Sequence, residues 1–540
     1  MHKTTDGHPA NPSISPLSLT RNGNAQVEQP RREDLKSESQ RAFSAIVEFV
    51  EERSRADGDL TFRDFECELR EHLFELGRAL VVRFLADREA FLIERGEMER
   101  FEWLGRRFRP APPIARNLTT LFGVVRYWRT YMREVAARGC QGFHPLDLTL
   151  GLTADRLSWN VLSHATRLAT QLPYATARSV LSDWVPNTPS TEVIEKATLG
   201  FGGHAEAWFE KQQPPDDDGE VLVLEFDGKA VPTATERELE RRRGKRAPGS
   251  GSAETSPRHR GRQKRGRHPS QPRRHKGDKA KNGKMATMVV MYTLKRRGTR
   301  RLEGPINRRH YVSLGSKRHA FEVARREAEK RGFGVDSGRL VQVVTDGDRD
   351  YEELTREYLP HARHDNDCYH VFEKLWEAGA AFLPEGSAEL KAWVDEQKAR
   401  LFEDDVDSVL DEMQARLDAI PLTGPGNKGR RQRLGAARRY LEHRRDKILY
   451  GSLRRRDLVI ATGNAEGAVR HVIANRCDSS GMRWIKERAQ AVLQLRCIEI
   501  NGDWAAFEAF VHDRLRAEAA LNCAPQRLQT AIPKELPRAA

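Results

Sequence analysis

The chain is short of several things, and each shortage excludes a class of protein. No apolar run approaches the ~20 residues a membrane-crossing helix needs, and the first residues, MHKTTDGHPANPS, hold no apolar core of an export signal. Only six cysteines occur, Cys67, Cys140, Cys368, Cys477, Cys497 and Cys523, and no two form a C-x-x-C pair. That spacing supports neither a zinc site nor a disulfide framework, so a reduced, cytoplasmic protein without a membrane partner is expected. Acidic residues are scarce in one place. Residues 237–284 carry RRRGKR, RHRGRQKRGRH and RRHKGDKAKNGK, and beyond Glu240 only Glu254 and Asp278 oppose them. Such a stretch cannot bury a core and is expected to be a flexible basic loop that neutralises phosphates. Arg241, Arg242, Arg243, Arg262, Lys264, Arg265, Arg273 and Arg274 are its candidate DNA contacts. The whole chain, at +14 and pI ≈ 9.5, points the same way, to a polyanion and to nucleic acid before membrane.

What is present begins with two apolar runs that each end in an acid and a glycine. VLVLEFDGK (221–229) presents Asp227 and LVQVVTDG (340–347) presents Asp346. Each reads as a buried strand delivering one carboxylate to its tip. Between them lie two more strands, 285–294 and 309–314, and a surface helix, 317–332. A three-strand meander, a crossover helix and a parallel fourth strand is the start of a ribonuclease-H-like α/β fold. In that topology strands one and four are neighbours, so Asp227 and Asp346 would share one sheet end. A third acid, Glu466, falls in the first turn of a helix that Asn464 is placed to cap, with Arg470 one turn on along the same face.

The rest of the chain divides around this core. Residues 1–38 are polar and read as a disordered tail, and 39–108 as a helical region. There Phe43, Ile46, Val47 and Val50 mark one apolar face, and Phe65, Leu69, Leu73, Leu76 and Leu80 another. RPAPP (109–113) reads as a break and Leu118–Met132 as a short hairpin. Helices at 155–171, 174–184 and 191–198, the last capped by Ser190, make 114–212 a helical, helix-turn-helix-like DNA-binding region. The core's first part is 219–372, its second 455–500, with a helical insertion at 373–452 and a C-terminal helix and tail at 501–540.

Three carboxylates meeting at a sheet end can hold two Mg²⁺ ions about 4 Å apart, with Mn²⁺ able to substitute. Such a pair activates a water or a 3′-hydroxyl and stabilises the leaving oxygen. Asp348, Asp350 and Glu487 are competing acids.

The chain resembles the DDE transposases of bacterial insertion sequences, the ISKra-type group, from about residue 119 to 500. The likeness lies in LEFDGKAV around Asp227, VVTDGDRDY around Asp346, DCYHVFEKL around His370 and GNAEGAVRHVIANRCDSSGMRWIKERAQAVLQLR around Glu466. The resemblance implies that Asp227, Asp346 and Glu466 are the catalytic metal ligands and that Asp367 and His370 form a helper pair beside them. It also suggests Arg483 and Trp484 for DNA contact. Arg470, placed by spacing to orient Glu466 or touch a phosphate, and Arg476 are further candidate DNA contacts. The implied activity is Mg²⁺-dependent cleavage and strand transfer at the terminal inverted repeats of a mobile element. The implied partners are double-stranded repeat and target DNA, bound by a homodimer or larger assembly at the nucleoid. The alternatives are a domesticated, non-catalytic DNA-binding protein and a plain Mg²⁺ nuclease of the same fold.

Overall fold

The computed structural model describes residues 29–55, 61–103, 106–135, 142–152, 156–236, 238–239, 283–298, 301–478 and 482–523. The chain divides into two compact units, residues 1–156 with 519–540, and Leu157–Glu518. Among the described residues no helix is long and apolar enough to cross a membrane.

In the first unit, α1 (Arg32–Ser54) and α2 (Phe62–Glu94) form an antiparallel hairpin, tied at one end by Arg32 to Asp87 and at the other by Arg53 to Glu68. Helix α1 thus begins inside the stretch expected to be a tail. Glu33 and Asp34 suit its first turn, and burial of Leu35 and Ser39 holds it down. The apolar face also differs from expectation. Phe43, Val47 and Val50 are exposed, and the contact runs through Phe49, which lies 5.5 Å from the Phe65 ring and 4.7 Å from that of His72. The sheet of this unit has the order β1 (Phe101–Trp103), β2 (Arg106–Thr120), β3 (Gly123–Glu134). RPAPP lies within β2 and does not break it. Pro112 and Pro113 fall where the β2–β3 register shifts, between Ala111 and Ile114, so their missing N–H groups cost no ladder bond. Helix α3 (Pro145–Leu150) follows, and its buried Asp147 accepts hydrogen bonds from Arg116 and Tyr127, each at 2.7 Å, and pairs with Arg129.

The second unit opens with α4 (Trp159–Gln171), α5 (Tyr174–Ser182), α6 (Thr191–Gly202) and α7 (Ala205–Lys211). Ser190 caps α6 as expected, but that helix runs on to Gly202, which lies against Ala491 too closely to admit a Cβ. These helices pack into the same unit as the larger sheet. The unit boundary, at 156–157, therefore falls inside the stretch read as one DNA-binding region.

That sheet is mixed. It comprises β4 (Val221–Pro232), β5 (Gly283–Arg297), β6 (Arg301–Ser313), β7 (Leu340–Thr345) and β8 (Arg363–Asn366), in the order β6-β5-β4-β7-β8. β4–β5 and β5–β6 are antiparallel, whereas β4–β7 and β7–β8 are parallel. The crossover from β6 to β7 is made by α8 (Lys317–Lys330). β4 is central and buried on both faces, which explains its nearly unbroken apolar sequence. Val221 and Val223 point into one cluster; Leu222, Leu224 and Phe226 point into the other, where Phe226 stacks on Phe321 of α8 at 4.0 Å. After β7 come α9 (Arg349–Tyr358) and, beyond β8, α10 (Cys368–Gly379). Four helices then intervene, α11 (Ala388–Phe402), α12 (Val406–Ala419), α13 (Asn427–Glu442) and α14 (Tyr450–Arg455). Helix α15 (Gly463–Ala468) continues through a π-helical turn, Val469–Ala474, and α16 (Lys486–Ile500) and α17 (Trp504–Cys523) close the described chain.

Candidate active site

The parallel pairing of β4 and β7 ends at Glu225 opposite Val344. Two residues further on stand Asp227 and Asp346, so the first two predicted acids lie where the β4–β7 pairing runs out. Asp346 is just past the end of β7, whereas Asp227 is not at a strand tip as expected, because β4 continues to Pro232 paired with β5. Both are partly buried. Asp227 Oδ1 accepts the N–H of Gly228 at 2.6 Å, and Asp346 Oδ1 accepts that of Asp348 at 3.0 Å. Among the described residues the second oxygen of each carboxylate accepts no hydrogen bond.

The turn after Asp346 is held from the helical segment inserted between α10 and α15. Tyr440 of α13 donates to the Asp346 carbonyl at 3.0 Å. Arg444, just past the end of α13 with its guanidinium 4.0 Å over the Tyr440 ring, donates to the Gly347 carbonyl. Gly347 is required here. Its φ is +85°, and a Cβ would lie 2.5 Å from the Tyr440 hydroxyl and 2.8 Å from Arg444 Nε.

Asp367 is fully buried at the start of α10. Its Oδ1 accepts the His370 N–H at 2.9 Å and lies 3.2 Å from His370 Nδ1, while Oδ2 accepts the Thr462 N–H and, at 2.7 Å, the Thr462 hydroxyl. Asp367 is therefore both a helix cap and the tie between α10 and the loop leading into α15. That loop delivers Glu466, which is exposed. One ligand atom each from Asp367, His370 and Glu466 lie within 4.8 Å of one another, whereas Asp227, Asp346 and Glu466 form no such set among the described residues. Asp367 nevertheless makes a poor metal ligand, because hydrogen bonds already occupy both of its oxygens. The free acceptors belong to the outer three acids. Acids that share two ions about 4 Å apart need not touch one another.

The electrostatics follow from this crowding. Burial pushes the Asp227 carboxyl up; the charges of Asp346 and Asp367 add to that, and the Gly228 N–H and His370 oppose it. Glu466 is also pushed up, first by partial desolvation on its inner side, then by Asp367 and Asp227, with His370 again opposing. Burial would raise Asp367 too, but the bonds from His370 and Thr462 outweigh it and hold that carboxyl at about 2. Its hydrogen bond in turn lifts His370 to about 9, which makes His370 a cation at neutral pH. Among the described residues no lysine or arginine pairs with Asp227, Asp346 or Glu466. The oxygen-rich, under-neutralised donor set is compatible with a hard divalent cation.

The other predicted contacts divide. Arg470 and Arg483 are exposed. Arg476 is 2% exposed and is not available to DNA: its guanidinium donates to the Ala169 carbonyl at 3.2 and 3.1 Å and lies 4.7 Å over the Trp484 ring. Trp484 is likewise core. Its backbone N–H donates to the Pro232 carbonyl at 3.0 Å and its carbonyl accepts from Ala234 at 2.9 Å, an added bridge alongside the end of β4. Asn464 does not cap α15. Thr462 holds the cap position, and the Asn464 amide is drawn off to Glu225. Arg241, Arg242, Arg243, Arg262, Lys264, Arg265, Arg273 and Arg274 lie outside the described residues. Of the competing acids, Asp348 and Asp350 both pair with Lys317, and Glu487 is exposed on α16.

Sequence reasoning passed over Glu225, Tyr440, Arg444 and Thr462. Only Glu225 left a signal: a charged residue in the middle of an apolar strand, where it can sit only if every oxygen is bonded.

No protein-family model matches the chain, and no curated protein does. A solved structure described as the Drosophila P element transposase strand transfer complex aligns with 66% of this chain and 95% of its own, at 11% identity and a TM-score of 0.30. At that score the two folds are not shown to be the same.

Proposed function

We propose that this chain is a DDE-type transposase with a ribonuclease-H-like core, acting on the terminal inverted repeats of an insertion sequence. The observation that carries the reading is the delivery of Asp227 and Asp346 to one end of two parallel strands, with Glu466 close to Asp367 and His370 and, among the described residues, no lysine or arginine paired with any of the three acids. The sequence resemblance around each of the three acids supports it, as does the order β6-β5-β4-β7-β8 with β4 central. In this reading Asp227 and Asp346 hold divalent ions through their free oxygens, and Glu466, on a helix, closes the site from the third side. Such ions, when bound, supply an activated attacking oxygen and a stabilised leaving oxygen for in-line displacement at phosphorus. His370 stays protonated against Asp367, keeps a positive charge beside the acids and is placed to steady a backbone phosphate. The segment carrying Tyr440 and Arg444 fixes the turn that aims Asp346. Arg470 and Arg483, with the basic stretch 237–284, contact the DNA backbone, and two ends are brought together by a dimer or larger assembly. The test is excision and integration with a repeat-ended donor DNA. Wild type cuts and joins; Asp227→Ala, Asp346→Ala and Glu466→Ala bind the ends but do neither. Cutting without joining would favour a nuclease, and full biological activity of the triple variant a non-catalytic DNA-binding protein.

A further inference from the structure

Glu225, like Asp367, is a fully buried acid near the site, enclosed in the middle of β4. Its hydrogen bonds are accepted from neutral donors. Oε1 takes the Tyr292 hydroxyl at 2.6 Å and the Asn464 side-chain amide at 2.9 Å, and Oε2 takes the Ala465 N–H at 2.9 Å. Two of those donors belong to the first turn of α15, and Ala465 is the residue directly before Glu466. Asp367 holds the same turn from its other side through Thr462. An apolar residue would fill this strand position without the desolvation that a buried carboxylate costs, so the acid calls for a role beyond packing.

We propose that Glu225 is a positioning residue, which clamps the start of α15 so that Glu466 faces the carboxylates of Asp227 and Asp346. The inference rests on the metal-binding reading above. Strand β4 then does two jobs. It carries the first acid where its pairing with β7 runs out, and two residues earlier it sets the direction from which the third arrives. The geometry leaves the two ties to α15 separable from the tie to Tyr292. Glu225→Leu removes all three. Asn464→Ala removes one tie to α15, together with the contact at 3.4 Å that Asn464 Oδ1 accepts from Arg308, and leaves the Tyr292 tie intact. Tyr292→Phe removes the core tie alone. Glu225→Gln keeps a carbonyl for Ala465, and the Asn464 amide can turn to accept its N–H at the cost of the Arg308 contact.

The test is Mn²⁺ binding to the full-length, DNA-free protein by calorimetry, with thermal unfolding run alongside. Disturbing a group that orients a metal ligand weakens binding about 10- to 100-fold. Glu225→Leu and Asn464→Ala are therefore expected to raise the Mn²⁺ dissociation constant at least about tenfold. Glu225→Gln and Tyr292→Phe should stay near wild type, and Asp227→Asn should abolish binding. Where Glu225→Leu does not fold, Asn464→Ala decides. If Asp227→Asn abolishes binding while Asn464→Ala binds like wild type, the clamp is wrong and the metal site stands. Tyr292→Phe weakening binding as much as Glu225→Leu would also overturn the clamp, because the role would then be core packing. Failure of wild type to bind Mn²⁺, or binding that Asp227→Asn leaves unchanged, overturns the metal reading and the clamp together.

Discussion

Two aspartates nine residues apart, one just before β4 and one within it, are handled in opposite ways. Just before the strand begins, Asp218 meets Arg331, whose side chain is wholly buried, with Nε and Nη2 each 2.7 Å from a carboxylate oxygen, and Asn307 adds an amide at 3.1 Å. Burial alone would push Asp218 up; the bonds from Arg331, Thr293 and Asn307 outweigh it and hold it at about 2. Where the pairing of β4 with β7 runs out, Asp227 is also partly buried, but its neighbours are two further acids and one histidine, and it is pushed up. The same residue type is paired off by a buried arginine at one position and left under-neutralised at the other. The difference lies in whether the fold supplies the countercharge or leaves that to something it binds.

The comparison can be broken most forcefully at the site. Asp227→Ala, Asp346→Ala or Glu466→Ala should each lower strand cleavage and joining by on the order of 10³-fold, with DNA binding kept, as a gel-shift assay alongside a cleavage assay would show. At the other position Asp218→Ala should leave activity per folded molecule unchanged but cost about 3–5 kcal/mol in urea unfolding, because Arg331 would be left buried without a partner. A metal titration sharpens the contrast. Divalent ion at about a hundred times its dissociation constant should stabilise wild type by about 2.7 kcal/mol and Asp227→Asn not at all. Without metal, Asp227→Asn should be the more stable protein by about 1 kcal/mol, since it removes mutual repulsion that serves only function. The smallest effect is in pH. Asp218 has a depressed folded pKa, so its contribution is present above its unfolded value and lost as pH falls toward about 2. Asp227 and Glu466 have raised folded pKa values, so in metal-free protein they destabilise once ionised and that penalty is relieved on acidification. Unfolding midpoints should therefore lie below wild type for Asp218→Asn and above it for metal-free Asp227→Asn near pH 6, and both differences should shrink toward zero as pH falls to about 2.

Much of the sheet could be read from the chain because its cause is local. Apolar runs leading to Asp-Gly are strands, although β4 runs on past Asp227 to Pro232, and their order with one intervening helix makes β4 and β7 neighbours. What stayed hidden depends on partners far along the chain. Asn464 looks like a cap until Glu225, 239 residues earlier, takes its amide. Arg476 and Trp484 have the composition of a DNA contact, yet they stack on each other, because an arginine over an aromatic ring looks the same in sequence whether the neighbour is a base or the core. The packed side of α1 is not the side its pattern suggests, because Phe49, stacking on Phe65 and His72, turns the helix away from the face that Phe43, Val47 and Val50 define. The grip of Tyr440 and Arg444 on the Asp346 turn has no local trace, since both lie in a helical segment whose pattern announces only amphipathicity.

The most direct test exchanges an oxygen ligand for sulfur. Mg²⁺ avoids thiolate whereas softer ions accept it, so Asp227→Cys, Asp346→Cys and Glu466→Cys should each be inactive on repeat-ended DNA with Mg²⁺ and regain cleavage with Mn²⁺. Recovery with Mn²⁺ at all three positions is the predicted result; equal activity of the cysteine variants in both metals would contradict the claim that these three side chains hold the ions.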